Sequence, residues 1–231
     1  MAFDGFPGAT FAWFAGLQDD NSKAWFAAHR DTYEDVVRGA LEAMLDQLAG
    51  ELGGSVKLFR QHRDTRFSND KSPYKTTTYG VIGERPGSRA PLYAQLSEQG
   101  LFAGTGYYVL AADQLARFRD AIAEDGGAAD DLERAIAGVH AAEIETYGEA
   151  LKTAPRGYSR DHPRAALLRH KSLIAGRRLA ASPARGIGAA AALEHARATW
   201  AACAPLNAWL DAHVGASTLP APPSRYTRRG T

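Results

Sequence analysis

The residues whose types could do chemistry together are concentrated in one polar stretch, Arg60–Lys75, called here the motif segment. Guanidinium groups stay charged and bind carboxylates or phosphates through paired hydrogen bonds. The cations of this segment outnumber its acids, which predicts that some of them hold an anionic ligand. The predicted ligand-binding residues of the motif segment are Arg60, Arg63, Arg66 and Lys71.

Two other residues of the motif segment are candidates for catalytic roles. Asp64 lies between Arg63 and Arg66 in the sequence, so its carboxylate is predicted to pair with an arginine and orient it. Tyr74 has a hydroxyl that both donates and accepts hydrogen bonds, which makes it a candidate for proton transfer. The competing interpretation is a structural ion-pair network that fixes a loop onto a sheet or serves a protein interaction.

A second basic stretch, Arg156–Arg178, lies later in the chain. It contains seven basic residues and one acidic residue, whereas Lys57–Lys75 contains six and two, and the whole chain has a net charge of +1. This asymmetry predicts that the two stretches meet around one anionic partner, a phosphorylated or carboxylated small molecule. In the second stretch, Lys171 is predicted to bind the anion and His162 to transfer a proton.

Other functions find less support in the residues. A net charge near zero and the lack of a recognised nucleic-acid-binding motif disfavour a nucleic-acid partner. Asp161, His162 and His170 could together hold a divalent metal, but their spacing matches no metal-binding motif, so no metal site is predicted. The sequence has no phosphate-binding loop and no nucleophile elbow, and no cofactor is predicted. Whether the protein is an enzyme stays open at this point.

The elements that must position these residues form an α+β fold. Alternating apolar residues and short connections predict an antiparallel meander of about four strands, packed with N-terminal and C-terminal helices. The predicted strands are Val56–Arg60, Thr76–Ile82, Leu92–Ser97 and Leu101–Val109, with a further short strand at Leu173–Leu179. Apolar spacings of three and four predict helices over Phe11–Leu17, Ser22–Leu52, Asp113–Glu124 and Asp130–Tyr147, and in the Ala-rich region that ends at Val214. The helix over Ser22–Leu52 is predicted to kink near Asp31.

Composition predicts a single domain over residues 1–215, followed by a Pro/Arg-rich tail over residues 216–231 that is expected to be disordered. A single cysteine, Cys203, excludes an intrachain disulfide and favours a reducing compartment. The apolar runs are too short to cross a bilayer and no signal-peptide pattern is present. We therefore expect a cytoplasmic protein without a membrane partner, and the sequence does not predict its oligomeric state.

The spacing within the motif segment also resembles a family signature. The pattern R-x-x-R-D-x-R-F-x-x-D-K-x-x-Y over Arg60–Tyr74 is similar to that of the bacterial family of unknown function DUF2461. The resemblance extends over most of the chain, through Gly5-Phe6-Pro7, Asn21, Trp25-Phe26, Gly104, Gly106-Tyr107, Gly157-Tyr158, Asp161-His162-Pro163, Leu168 and Lys171. It implies a bacterial, single-domain protein, and it implies no known activity.

Overall fold

The computed structural model describes residues 2–66, 69–124, 126–182 and 184–220. Within these residues the strands are β1 (Gly5–Phe6), β2 (Ser55–Leu58), β3 (Thr78–Gly83), β4 (Leu92–Ser97), β5 (Gly100–Tyr107), β6 (Glu145–Tyr147), β7 (Leu173–Ala180) and β8 (Ile187–Gly188). Six of them form an antiparallel sheet in the order β2-β3-β4-β5-β7-β6, while β1 pairs with β8. The predicted α+β class and antiparallel meander are confirmed, and β7 and β6 extend the sheet beyond β5.

Helices from both ends of the chain pack around this sheet. In the described residues they are α1 (Gly8–Asp19), α2 (Lys23–Ala28), α3 (Arg30–Thr32), α4 (Gly39–Leu52), α5 (Ala112–Ala123), α6 (Gly127–Ala141), α7 (Ala165–Leu168), α8 (Ala189–Ala202) and α9 (Ala204–His213). A π-helical segment, Tyr33–Arg38, joins α3 to α4. Apolar residues of the N-terminal helices and of α8 belong to one hydrophobic cluster, together with residues of the sheet.

One face of the sheet is covered by helices and forms the main hydrophobic core. Successive side chains point to opposite faces of a strand, and Ile82, Ala94 and Ala103 of the covered face are fully buried. Helix α4 packs on β2 and β3, while α8 packs on β5 and β7. The apolar residues of α4 share one side of the helix because they recur every three or four positions, namely Leu41, Met44, Leu45 and Leu48.

The helix predicted over Ser22–Leu52 is interrupted close to its predicted kink at Asp31, because the chain leaves the helical conformation at His29 (φ −112°, ψ 19°). The indole of Trp13 donates a hydrogen bond to the His29 carbonyl oxygen at 3.2 Å, and the His29 ring stacks on Trp25. Helix α1 extends the predicted Phe11–Leu17 at both ends. Within α1, Thr10 Oγ1 donates to the Val36 carbonyl oxygen at 3.0 Å, which ties α1 to the π-helical segment.

The predicted helix over Asp130–Tyr147 is correct only as far as Ala141. Glu143 adopts a left-handed conformation (φ 57°), which ends the helical path. The residues that follow form β6, and Thr146 pairs with Ala175 of β7. The apolar periodicity of the sequence therefore extends beyond Ala141, where the helix ends, into residues that pair with the sheet.

A second hydrophobic cluster lies between the sheet and the C-terminal helices, and it includes Phe118, Leu132 and Trp209. Cys203 belongs to this cluster and is fully buried. Of the predicted tail, residues 221–231 lie outside the described residues. Its first residues contact α5, because the Ser217 hydroxyl and the Thr218 amide both donate to the Asp113 carboxylate.

Candidate functional site

The motif segment connects β2 to β3 and is closed at its base by a short ladder. The Arg63 amide donates to the Pro73 carbonyl oxygen, and the Lys75 amide donates to that of Gln61, both at 2.9 Å. Gln61 is 3% exposed, and its side chain donates to the Lys75 carbonyl oxygen and accepts from Thr78 Oγ1 at 2.8 Å. Because a buried amide needs its hydrogen bonds satisfied, Gln61 fixes both ends of the segment.

Tyr74 lies in the hydrophobic core with 5% of its surface exposed. Its ring stacks on Phe26 with 4.0 Å between centroids and 9° between planes, and it also contacts the His62 ring. The structure thus brings the predicted proton-transfer residue against α2. Its position attaches the motif segment to the N-terminal helices.

The acids of the motif segment pair with its cations. Arg66 donates to Asp64 through Nε at 2.9 Å and Nη2 at 2.8 Å, and these bonds hold the pKa of the Asp64 carboxyl far below its usual range. Asp64 is exposed, so the pair lies at the surface. The predicted pairing of Asp64 with a neighbouring arginine is observed.

A second set of bonds fixes the other half of the motif segment. Arg63 donates to Asp70 and to Ser72 Oγ, the latter at 2.8 Å. Hydrogen bonds from the Ser72 hydroxyl and amide, followed by that from Arg63, lower the pKa of Asp70 to about 2. Lys71 Nζ donates to the Thr65 carbonyl oxygen at 3.0 Å. The segment therefore stabilises its own conformation largely through internal polar contacts.

Arg60 lines two adjoining cavities. One, of about 290 Å³, is lined by Arg60, Arg63, Asp64, Thr65 and Arg66. The other, of about 360 Å³, lies between the start of the motif segment and the N-terminal helices, and we call it the motif cleft. The polar residues that line the motif cleft are Arg30, Tyr33, Glu34, Arg38, Arg60, Gln61 and His62.

Positive charge predominates in the motif cleft, where Glu34 faces three arginines. Arg38 pairs with Glu34 at 3.8 Å and with Glu42 at 3.3 Å. Burial raises the pKa of Tyr33 to about 12, so its hydroxyl stays protonated and can donate a hydrogen bond. Tyr33 and Arg38 belong to the π-helical segment, and π-helical turns occur frequently at functional sites.

Sequence reasoning missed Arg30, Tyr33 and Arg38. They precede the motif segment by more than twenty positions, and only the fold brings them to Arg60. A partial signal was present in the spacing of Arg30 and Tyr33, because residues three positions apart can share one side of a helix. That spacing predicts a shared side of one helix, but it does not predict that Arg60 lies in the same cleft.

The predicted pocket between the motif segment and Lys171 is not observed. Thr78, at the end of the motif segment, is level with Leu179 through the pairs Thr78–Leu96, Leu96–Leu101 and Leu101–Leu179. Lys171 precedes the opposite end of β7, which begins at Leu173. Six residues of extended strand span about 20 Å, so Lys171 lies far from the motif segment.

The remaining candidates of the second basic stretch have local partners. Lys171 pairs with Glu149. His162 Nδ1 accepts a hydrogen bond from the Arg164 amide at 3.0 Å, and the Arg164 side chain pairs with Asp130 and with Glu133 of α6. The structure thus does not bring His162 and Lys171 to the predicted residues of the motif segment.

The face of the sheet that the main core leaves uncovered carries a row of aromatic rings. The centroid distances are 4.8 Å from Phe59 to Tyr79, 5.6 Å from Tyr79 to Tyr93, 6.1 Å from Tyr93 to Phe102 and 5.8 Å from Phe102 to Tyr147. A cavity of about 560 Å³ opens on this face, and we call it the sheet cavity. Phe59 lines both the sheet cavity and the motif cleft.

Sequence reasoning also missed the sheet cavity. The signal was the alternation within each strand, which places Tyr79 with Val81 and Phe102 with Gly104 on the uncovered face. The same alternation was used only to recognise strands. Alternation alone does not show which face of the sheet stays free of helices, so it does not predict a cavity among these aromatic residues.

Two further features concern possible metal ligands and possible membrane-spanning helices. In the part of the chain that it describes, no cluster of three or more His, Cys, Asp or Glu side chains is arranged to hold a metal ion. Among the same residues, no helix has the length and apolar character needed to cross a membrane.

Comparison with known proteins gives one match. The model of a family described as conserved hypothetical protein (DUF2461) matches residues 9–209 of the 231 residues. No curated protein matches the chain. The matched range contains the motif segment, the residues of the motif cleft and the strands that carry the sheet cavity.

Proposed function

The chain belongs to the DUF2461 family, whose description assigns no activity, and we propose that its motif cleft binds an anionic small molecule, phosphorylated or carboxylated. The observation that carries this proposal is the convergence of Arg30, Arg38 and Arg60 on one cleft of about 360 Å³. Ligand pockets typically measure about 300–1,000 Å³. The cleft therefore suits a small ligand.

The cleft offers complementary groups for such a ligand. Arg30 and Arg60 supply guanidinium groups that fit a phosphate or carboxylate. Arg38 lies 3.8 Å from Glu34, a long ion pair that a ligand oxygen could replace. The neutral Tyr33 hydroxyl adds a donor at the buried side of the cleft. Because the cleft is open to solvent, its affinity for anions should fall as ionic strength rises.

In this proposal, the other predicted residues of the motif segment extend the binding site or hold the conformation of the segment. Arg63 and Arg66, the latter held by Asp64, line the adjoining cavity and would meet a second anionic group of a longer ligand. Lys71 and Tyr74 hold the conformation of the segment through Thr65 and Phe26. The proposal is confined to binding.

A second function is favoured by the internal bonds of the motif segment, which would make it a structural or protein-interaction element. Arg63 bonds to Asp70 and Ser72, and Arg66 bonds to Asp64. In that case the signature would preserve a loop conformation, and removal of an arginine would lower stability without affecting any ligand.

Thermal unfolding in the presence of anions distinguishes these functions. Inorganic phosphate and succinate represent the two ligand classes, and sodium chloride at equal ionic strength is the reference. Binding in the motif cleft predicts a rise in Tm that Arg60→Ala abolishes and that the matched control Arg134→Ala, an exposed arginine of α6, retains. No anion-specific rise in the unmodified protein, together with a lower Tm of Arg60→Ala, would favour the structural function.

A further inference from the structure

The sheet cavity has a floor formed in part by two residues without side chains, Gly104 and Gly106. Gly104 of β5 lies directly opposite Gly176 of β7, and Gly106 follows on the same face. A Cβ atom at Gly176 would stand 2.4 Å from Cζ of Phe102, and one at Gly104 would stand 2.8 Å from Cε1 of the same ring. The Phe102 ring thus lies against the backbone of these glycines.

Aromatic rings form the walls around this floor. The Tyr93 ring is inclined by 67° to the Phe102 ring, and the Tyr147 ring by 68°. Since β4 and β6 lie on opposite sides of β5, these two tyrosines stand on either side of Phe102. The Tyr93 hydroxyl donates to Gln95 Oε1 at 2.5 Å, which fixes the inclination of that ring. Such a floor and walls match a planar ring.

Cations lie near three of the aromatic rings that line the cavity, although they do not line it themselves. Lys57 Nζ lies 5.5 Å from the Phe59 centroid, Lys75 Nζ lies 4.7 Å from that of Tyr79, and Arg178 Cζ lies 5.8 Å from that of Phe102. Arg178 also donates to Ser97 Oγ at 3.0 Å. Tyr79, Gln95, Phe102 and Arg178 are directly opposite one another across four strands. These charges complement an anion at the rim.

We propose that the sheet cavity binds a small molecule that combines a planar aromatic ring with an anionic group. The ring would lie beside Tyr93 and Phe102, and the anion would meet Arg178, whose guanidinium lies over the Phe102 ring. The volume of about 560 Å³ fits one small ligand. This occupant is favoured over a nucleic-acid strand because the whole chain has a net charge of only +1 and the rings line a cavity of small-ligand size.

The proposal goes beyond binding in the motif cleft and uses different residues. It is tested by calorimetric titration of the full chain with 1-naphthyl phosphate, with 1-naphthol as the ring alone and inorganic phosphate as the anion alone. The variants are Phe102→Leu, which removes the ring, and Arg178→Gln, which removes the charge. The matched controls are Tyr158→Leu and Arg134→Gln, both remote from the sheet cavity, and circular dichroism checks the fold of each variant.

We expect 1-naphthyl phosphate to bind saturably and Phe102→Leu to weaken it by at least about fivefold, the lower end of the usual effect of losing one stacked ring. Arg178→Gln should weaken 1-naphthyl phosphate about fivefold or more and leave 1-naphthol unchanged, because one charge-assisted contact is lost. Both controls should stay within about twofold of the unmodified protein.

Several results would overturn the proposal. Unchanged affinity in folded Phe102→Leu would do so, and so would unchanged affinity in Arg178→Gln, whose exposed side chain can be replaced without disturbing the core. Loss of 1-naphthyl phosphate binding in Arg60→Ala but not in Phe102→Leu would place the ligand in the motif cleft. Binding of a ten-nucleotide thymidylate strand about a hundredfold more tightly, with steep salt dependence, would instead assign the face to single-stranded nucleic acid.

Discussion

Asn21 makes both backbone hydrogen bonds of Tyr74. Its Nδ2 donates to the Tyr74 carbonyl oxygen at 3.2 Å, and its Oδ1 accepts from the Tyr74 amide at 3.0 Å. An asparagine side chain in this arrangement imitates a neighbouring strand, since it presents one donor and one acceptor to the same residue. The end of the motif segment is thereby fixed to the start of α2, beside the stacked pair of Phe26 and Tyr74.

Asn21→Ala should lower the free energy of unfolding by about 1–3 kcal/mol, because it leaves an amide and a carbonyl of a partly buried strand end without these partners. Denaturant unfolding measures the change. Asn69→Ala, at an exposed position of the motif segment, is the control and should change stability by no more than about 0.5 kcal/mol. Equal stability of the two variants would show that Asn21 does not fix the segment.

The Asp70 carboxyl should titrate near pH 2, and its pKa should depend more on Ser72 than on Arg63. Because its pKa in the folded protein is depressed, Asp70 contributes stability that is present above the ordinary pKa, near about 4, and is lost as the pH falls through the folded value. Carboxyl-carbon NMR titration of Ser72→Ala and Arg63→Gln measures the Asp70 pKa in each variant, and the rise should be larger in Ser72→Ala. A larger rise of the Asp70 pKa in Arg63→Gln would contradict it.

An anion at ten times its Kd for the motif cleft should raise the free energy of unfolding by about 1.4 kcal/mol and Tm by about 3–6 °C. Arg30→Ala and Arg60→Ala should each lose most of that rise, since both arginines line the cleft. Tyr33→Phe keeps the buried ring and removes the donor, so it should weaken anion binding while circular dichroism stays unchanged. A full rise in all three variants would place the anion elsewhere.

The Cys203 thiol should not react with thiol reagents in the folded protein. It is fully buried, and burial raises its pKa to about 11, so the reactive thiolate is scarce at pH 8. Spectrophotometric thiol titration should show one reactive group only after denaturation in guanidinium chloride. Rapid labelling of the native chain would show that the cluster around Phe118 and Trp209 opens readily.

The sequence predicted the features that depend on neighbouring residues. The hairpin between β4 and β5 was predictable because a glycine, Gly100, lies between two apolar runs of the sequence. In the structure this residue adopts a φ of 124°, a conformation that favours glycine. The pairing of Asp64 was predictable because Arg66 lies two positions away. The α+β class followed from the alternation of apolar residues along the strands and their spacing in the helices.

Features that depend on distant pairing were not predictable in the same way. The apolar spacing through Tyr33 and Val37 suits an α-helix, and nothing local shows that the turn widens to a π-helix. Likewise, the counts of charge in two stretches carry no information on distance. Lys171 and Arg63 share a sign, but β7 separates Lys171 from the motif segment by much of its own length.

Gly104 and Gly176 lack side chains, and the Phe102 ring packs into the space that they leave above two neighbouring strands. A ring that packs on the backbone in this way is held by the sheet itself, so this wall of the sheet cavity is present before a ligand arrives. Association should then be a single bimolecular step, its observed rate rising linearly with ligand concentration and showing no plateau from a slow conformational change. The entropic penalty of ordering the protein should also be small, because preorganisation has already fixed the binding groups.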